Sequence, residues 1–182
     1  MSEPNSELLL QIKDERKRSK AFSEIVRMYQ ERLYWHIRKM VLVHEDADDI
    51  LQNTFLKAWN ALDNFRGDSQ VSTWLYRIAT NETLTFLANK RLKTLQGLEE
   101  VEDQMFRNLQ SDTWFSGNEV ETKLQKAILT LPEKQRLVFN MKYFEDITYD
   151  EMEQILGTTV GALKASYHHA VKKIERYLNE DE

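Results

Sequence analysis

The sequence predicts an all-α protein made of two small helical domains joined by an acidic linker. Three observations predict this class. No glycine or proline interrupts the 182-residue chain between residues 5 and 66, apolar residues recur at spacings of three and four, and the alternation typical of strands is absent. With 41% hydrophobic and 30% charged residues, the composition is that of a globular protein.

The first domain is predicted to contain four helices. A short helix covers about 6–17, and Ser19 can cap a long second helix. The apolar stripe of the second helix comprises Phe22, Ile25, Val26, Tyr29, Leu33, Ile37, Met40 and Val41. The third helix begins with acidic residues, which the helix dipole favours, and its buried stripe comprises Ile50, Leu51, Thr54, Phe55, Ala58 and Leu62. After a polar loop over 63–70, Ser72 can cap a fourth helix that runs to about Lys90.

An acidic segment separates the two domains. Residues 92–121 carry 2 Lys or Arg against 7 Asp or Glu, which accounts for the net charge of −5, since both flanks are nearly neutral. Helical periodicity is lost here, apart from a short helix expected near 101–109. Four large apolar residues could dock on a partner or on one of the domains: Met105, Phe106, Trp114 and Phe115.

The second domain is predicted to contain a helix-turn-helix over about 149–168. Pro132 is expected at the first position of a preceding helix, where its missing N–H costs nothing. Thr148 and Glu151 form a capping box, and Gly157 ends that helix in a left-handed conformation. A short turn leads to the last helix, whose core stripe comprises Leu163, Tyr167, Ala170, Val171, Ile174 and Leu178. A helix-turn-helix places its second helix in the DNA major groove.

The face of the last helix opposite its stripe is cationic. It carries Lys164, His168, Lys172 and Arg176, with His169 and Lys173 beside them. A solvated face would be the ordinary interpretation for a lone helix, but the preceding turn favours DNA binding. His168 and His169 are adjacent, hence about 100° apart on a helix, and do not readily share one metal ion. No metal or cofactor site is predicted.

Two further groups of polar residues suggest binding. Asp46, Asp48 and Asp49 form an acidic helix start, which could also dock a basic partner. In the loop over 63–70, Phe65 could stack on an unpaired base and Arg66 could bind phosphate. The polar residues Asn64, Asp68 and Ser69 could form hydrogen bonds with base edges. Alternatively, Phe65 covers the core and Asp68 starts the next helix. Both interpretations can hold together.

The sequence argues against export and membrane insertion. It contains no cysteine, no apolar run of about 20 residues and no signal-peptide pattern. A cytoplasmic protein is expected.

Two blocks of the sequence resemble a known family. The block DADDILQNTFLKAWNALDNFRGDSQVSTWLYRIATNETLTFL resembles region 2 of the sigma-70 family of RNA polymerase sigma factors, and LPEKQRLVFNMKYFEDITYDEMEQILGTTVGALKASYHHAVKKIERYL resembles region 4. The likeness covers about 7–91 and 121–178, with 92–120 as the linker. The sequence has no domain between the two regions, and in this it resembles the extracytoplasmic function (ECF) group of sigma factors.

The resemblance implies a promoter-specificity subunit with no enzymatic activity of its own. Region 2 would dock on the clamp helices of the large subunit of core RNA polymerase, with Asp46, Asp48, Asp49, Gln52 and Asn53 at contact positions. It would melt and read the −10 element of promoter DNA through Asn64, Phe65, Arg66, Asp68, Ser69, Arg77 and Asn81. Region 4 would lie near the polymerase flap region and read the −35 element through Thr159, Lys164, Ser166, His168, His169 and Lys172. An anti-sigma factor is an expected partner.

The sequence departs from the family pattern at several points. Asn53 replaces a glutamate, Leu84 replaces a basic residue, and KAS in the last helix replaces a stretch that carries an arginine. Glu153 replaces a small residue, and we expect it to tilt outward or to pair with a cation, because a buried unpaired carboxylate is costly.

Two other functions fit parts of the sequence. A helix-turn-helix repressor or activator with a helical sensory domain would explain 121–178, but it leaves 46–81 without a purpose. A metal-dependent helical enzyme built on the aspartates would need a second carboxylate cluster, which the sequence does not show.

Overall fold

The computed structural model describes residues 6–65, 67, 69–93 and 119–179, and these residues are helical apart from short connections. The first domain consists of α1 (Ser6–Lys13), α2 (Arg18–Val41), α3 (His44–Ala61) and α4 (Val71–Lys93). The second consists of α5 (Glu119–Leu129), α6 (Glu133–Tyr143), α7 (Tyr149–Leu156) and α8 (Val160–Asn179). The all-α prediction with two helical domains is confirmed. The linker core, its expected short helix near 101–109 and its four large apolar residues lie outside the described residues.

Helix α2 forms the centre of the first domain and contacts α1, α3 and α4. The periodic stripe predicted for it is buried except for Val26, which is half-buried, and Ile25 and Leu33 are fully inaccessible. The helix ends at Leu42, which adopts a left-handed conformation (φ 61°) and donates its N–H to the carbonyl of Arg38 at 2.9 Å. Leu42 is itself buried, so apolar packing offsets the strain of that conformation.

Three predicted helix starts are wrong. Helix α2 begins at Arg18 and α4 at Val71, so Ser19 and Ser72 lie inside their helices. Pro132 is the residue before α6, not its first helical residue, and its extended backbone (ψ 140°) leads into Glu133. Capping preferences identify a helix start only to within a residue or two, because several neighbouring residues can serve as the cap.

The second domain has its own small core, in which α8 contacts α5, α6 and α7. Phe139 lies at its centre, stacked between Tyr143 (5.1 Å between ring centroids) and Tyr167 (5.8 Å). The two domains also contact each other, because α4 packs against α7 and α2 against α6. None of the helices in the described ranges is both long and apolar enough to cross a membrane.

The predicted capping box at the start of α7 is confirmed. Thr148 Oγ1 accepts from the N–H of Glu151 (3.3 Å), and Glu151 Oε2 accepts from the N–H of Thr148 (2.8 Å). At the other end, Gly157 has the expected left-handed conformation, with φ 64°. Both ends of the first helix of the helix-turn-helix are thus set by local sequence.

We expect Thr148→Ala to lower the free energy of unfolding by about 1 kcal/mol, because it removes the oxygen that accepts from Glu151. Thr158→Ala, which alters an exposed threonine in the turn after α7, is the matched control and should change stability by less than about 0.5 kcal/mol. Urea denaturation followed by circular dichroism measures both. Equal unfolding midpoints for the two variants would contradict the capping account.

Candidate functional site

One face of α3 points away from the core of the first domain and is exposed. The helix buries Ala47, Ile50, Thr54 and Ala58 against α2 and α4. On its other side it exposes a row of predicted contact residues and one leucine: Asp49, Gln52, Asn53 and Leu56. This exposed row is called the α3 face below.

The two half-buried aspartates of α3, Asp46 and Asp48, each contact one basic side chain. Asp46 accepts from Lys90 Nζ of α4 at 2.8 Å. Asp48 lies 3.3 Å from His44 Nε2, and the other ring nitrogen of His44 lies 2.6 Å from the Tyr34 hydroxyl. These contacts fix the two carboxylates at the edge of the α3 face.

Leu56 is a surface residue that the sequence analysis did not single out. Its exposed fraction is 61%, although it is a large aliphatic side chain. It follows Gln52 by four positions and Asn53 by three, so all three share one side of the helix. The sequence contains this signal, since Leu56 is out of phase with the buried stripe.

The loop between α3 and α4 brings an aromatic pair to the surface. The ring of Phe65 lies 4.8 Å from that of Trp74, at 37° between planes, and both rings are half-buried against the core. Asn64 is exposed and Ser69 is half-buried. Gly67, with φ 81°, supplies the left-handed turn. Arg66 and Asp68 lie outside the described residues.

Helix α4 continues the surface that begins at this aromatic pair. Arg77 and Asn81 are both exposed and are separated by four positions, so they lie one turn apart on the same side. Trp74 precedes Arg77 by three positions, which places the Phe65–Trp74 pair at the start of that side. Of the loop and α4 residues predicted to bind DNA, the structure therefore brings Asn64, Phe65, Arg77 and Asn81 to one continuous surface, called the loop–α4 surface below.

The turn between α7 and α8 is held by two polar contacts. Thr159 Oγ1 accepts from the N–H of Ala162 (3.4 Å), as the cap of α8. Glu153 is exposed and its Oε1 accepts from the N–H of Val160 (3.3 Å). The expectation that Glu153 tilts outward is confirmed, and its carboxylate also lies at the positive end of the α8 dipole.

Helix α8 exposes most of the residues that are predicted to bind DNA. It buries Leu163, Ala170 and Ile174. Its predicted DNA-binding residues are exposed except for half-buried Ser166: Thr159, Lys164, His168, His169 and Lys172. Lys164 Nζ lies 5.8 Å from the centre of the Tyr149 ring of α7, so the ammonium is attracted to the ring face beside the turn.

Within the described ranges, no group of three or more His, Asp or Glu side chains lies close enough together to hold a metal ion.

The chain matches two family models in the order that the resemblance implies. Sigma-70 region 2 matches residues 25–92, and Sigma-70 region 4 matches residues 121–174. The chain is also 30% identical over 167 residues to the RNA polymerase sigma-H factor of Pseudomonas aeruginosa, and this match covers 87% of the chain and 86% of that protein. The chain belongs to the sigma-70 family.

Other comparisons identify the group and the fold. This sigma factor is 29% identical over 168 residues to the ECF RNA polymerase sigma factor SigW of Bacillus subtilis, covering 88% of the chain and 90% of that protein. It is therefore an ECF sigma factor. Its fold is similar to that of the sigma factor RpoE of Bartonella quintana, solved in complex with the anti-sigma factor NepR, with a TM-score of 0.65 and 21% identity over 90% of the chain and 99% of that structure.

Proposed function

We propose that this sigma factor binds core RNA polymerase through the α3 face and directs it to promoters, with region 2 reading the −10 element and region 4 the −35 element. The observation that carries the proposal is the pair of family matches in series. The first match includes the α3 face and the loop–α4 surface, and the second includes the exposed residues of α8. The α3 face would contact the clamp helices of the large subunit, through Asp49, Gln52, Asn53 and Leu56, and region 4 would lie at the flap region.

The loop–α4 surface supplies what strand opening requires. A base that leaves the duplex loses a few kcal/mol of stacking and pairing, and it must regain this in a protein pocket. The Phe65–Trp74 pair offers an aromatic face, while Asn64 and Asn81 offer amide groups to base edges and Arg77 a charge to phosphate. Binding energy alone drives this step, so no catalytic residue or cofactor is required of the chain.

An anti-sigma factor is part of the proposal. The RpoE structure of similar fold contains one, and the residues proposed to contact polymerase and DNA are exposed and available to such a protein. We place this sigma factor in the cytoplasm, where polymerase and promoter DNA are found.

Association with core polymerase tests the first step of the proposal. The purified chain and core enzyme should comigrate in gel filtration as a stable complex. Separate elution under all salt conditions, with no inhibitor present, would overturn the proposed function.

Lys164→Ala should weaken protection of the −35 element and lower the slope of log affinity against log salt by about 1, because one phosphate contact is lost. Lys134→Ala is the matched control, since Lys134 is also exposed but lies on α6, outside the helix-turn-helix. Footprinting of the holoenzyme over a range of salt concentrations measures both. An unchanged −35 footprint for Lys164→Ala would show that α8 is not the reader of this element.

A further inference from the structure

A single carboxylate of region 4 enters a polar pocket of region 2. Glu145 lies in the connection between α6 and α7, and its side chain is only 9% exposed. Its Oε2 lies 3.1 Å from Nδ1 of His36, and its Oε1 lies 3.7 Å from Nζ of Lys39. The phenol of Tyr76, on α4, also interacts with this carboxylate. Two helices of region 2 therefore converge on one acidic group of region 4.

Two residues of the pocket in region 2, His36 and Thr80, also contact each other. His36 is 1% exposed, and its Nε2 lies 2.9 Å from the Thr80 hydroxyl. A carboxylate can only accept hydrogen bonds, so Nδ1 of His36 carries a hydrogen and donates it to Glu145. Burial lowers the pKa of Lys39 and raises that of Tyr76. Replacing the carboxylate of Glu145 by an amide would remove its negative charge and one of the two acceptor oxygens that these donors share.

Much of the contact between the domains is apolar, because residues of α6 and α7 belong to the same buried cluster as the core of the first domain: Leu137, Val138, Met141, Met152 and Ile155. Asn140 of α6 is 2% exposed, yet its Oδ1 has no hydrogen-bond partner among the described residues, and its Nδ2 lies 3.7 Å from Met40 Sδ. The Arg91–Glu133 ion pair (2.9 Å) lies at the edge of the contact. A groove of about 690 Å³ also separates the domains beside Glu145. These polar groups and the groove interrupt the apolar contact.

The closed arrangement is too small to read a promoter in two places. Elements centred at −10 and −35 are about 25 base pairs apart, or roughly 85 Å at about 3.4 Å per base pair. A compact chain of 182 residues has a radius of gyration of about 16 Å, hence a diameter of about 40 Å. Arg77, Asn81 and Lys164 remain exposed, so the contact restricts the spacing of the two DNA-reading surfaces without covering them.

We propose that Glu145 latches region 4 onto region 2 in the free chain, and that this latch must open before the −10 and −35 elements are read together. The latch itself is a property of the isolated chain. Its consequence for transcription rests on the proposed function.

Distances between the domains test the latch without polymerase. Because the chain has no cysteine, the exposed residues Arg27 and Glu175 can be replaced by cysteine, spin-labelled and measured by pulsed electron resonance. The otherwise wild-type chain should show one short distance. Glu145→Gln should add a population at long distance and raise the open-to-closed ratio about tenfold, because charge-assisted hydrogen bonds are lost.

Asp146→Asn provides the matched control. Asp146 is the next residue, its side chain is 95% exposed and it pairs with Lys142 within its own domain, so the same change of acid to amide should leave the distances unaltered. The latch is refuted if the wild-type chain is already open, if Glu145→Gln keeps the wild-type distances, or if Asp146→Asn opens the chain equally.

A covalent lock tests the consequence for transcription. Arg91→Cys and Glu133→Cys place two thiols where an ion pair joined the domains, and a short bismaleimide with a cleavable centre can link them. The linked chain should lose promoter-specific transcription with core enzyme and regain it when the linker is cleaved. Equal transcription by linked and unlinked chains would overturn the requirement for opening. If the unlinked and wild-type chains also fail to direct transcription by core enzyme, the proposed function is wrong. The distance measurements would still show whether Glu145 holds the two domains together.

Discussion

Replacing Asn81 by alanine should slow open-complex formation by about 5- to 150-fold and leave association with core polymerase unchanged. Loss of one contact to an unpaired base costs about 1–3 kcal/mol, which converts to this range of rates. Phe65→Ala should act in the same direction and by a similar amount. Reactivity of unpaired thymines with permanganate at the start site measures the effect.

The two substitutions differ in what else they change. Phe65 is half-buried against Trp74 and the core, so its removal also lowers stability, whereas Asn81 is exposed. Asn89 is also exposed and lies about two turns further along α4. Asn89→Ala therefore controls for the loss of an exposed amide group from this helix. Normal permanganate reactivity in both Asn81→Ala and Phe65→Ala would contradict the assignment of the loop–α4 surface to strand opening.

Leu56→Asp should weaken binding to core polymerase by at least about 30-fold. Apolar anchors at the centre of an interface commonly contribute about 2 kcal/mol or more, and here a charge would also be buried. The exposure of Leu56 means that the variant should fold normally. Titration of labelled sigma factor with core enzyme gives the dissociation constants.

Leu10→Asp is the matched control for this change. Leu10 is 69% exposed on α1, against 61% for Leu56, and lies outside the α3 face. Its variant should bind core enzyme as the wild type does. Wild-type affinity for Leu56→Asp, or equal weakening by both variants, would exclude the α3 face as the docking surface.

Local sequence rules predicted the elements that depend on neighbouring residues. The stripe of α2 follows from a period of 3.6 residues, and the Thr148–Glu151 box and Gly157 follow from hydrogen bonds within one turn of the chain. The caps predicted at Ser19 and Ser72 were wrong by two residues and the first helical residue predicted at Pro132 by one, because capping preferences do not fix a helix start to the residue. The exposed residues of α4 and α8 could also be predicted from the sequence, because they lie on the sides of the helices opposite the buried stripes.

The contact between the domains could not be predicted from the sequence. Glu145 meets His36 across 109 positions, and in the sequence each is an ordinary polar residue. His36 lies within a helix whose stripe explains the apolar residues around it, and no periodic rule shows that a histidine there is buried. Such pairs depend on how two finished domains fit together, which is a long-range property.

Transcription from genomic DNA tests the central claim most directly. Core polymerase with the purified chain is incubated with fragmented genomic DNA, and the 5′ ends of the transcripts are mapped and compared with those made by core enzyme alone. The account predicts new start sites that share two sequence blocks, one near −10 and one near −35. Start sites identical to those of core enzyme alone would contradict it.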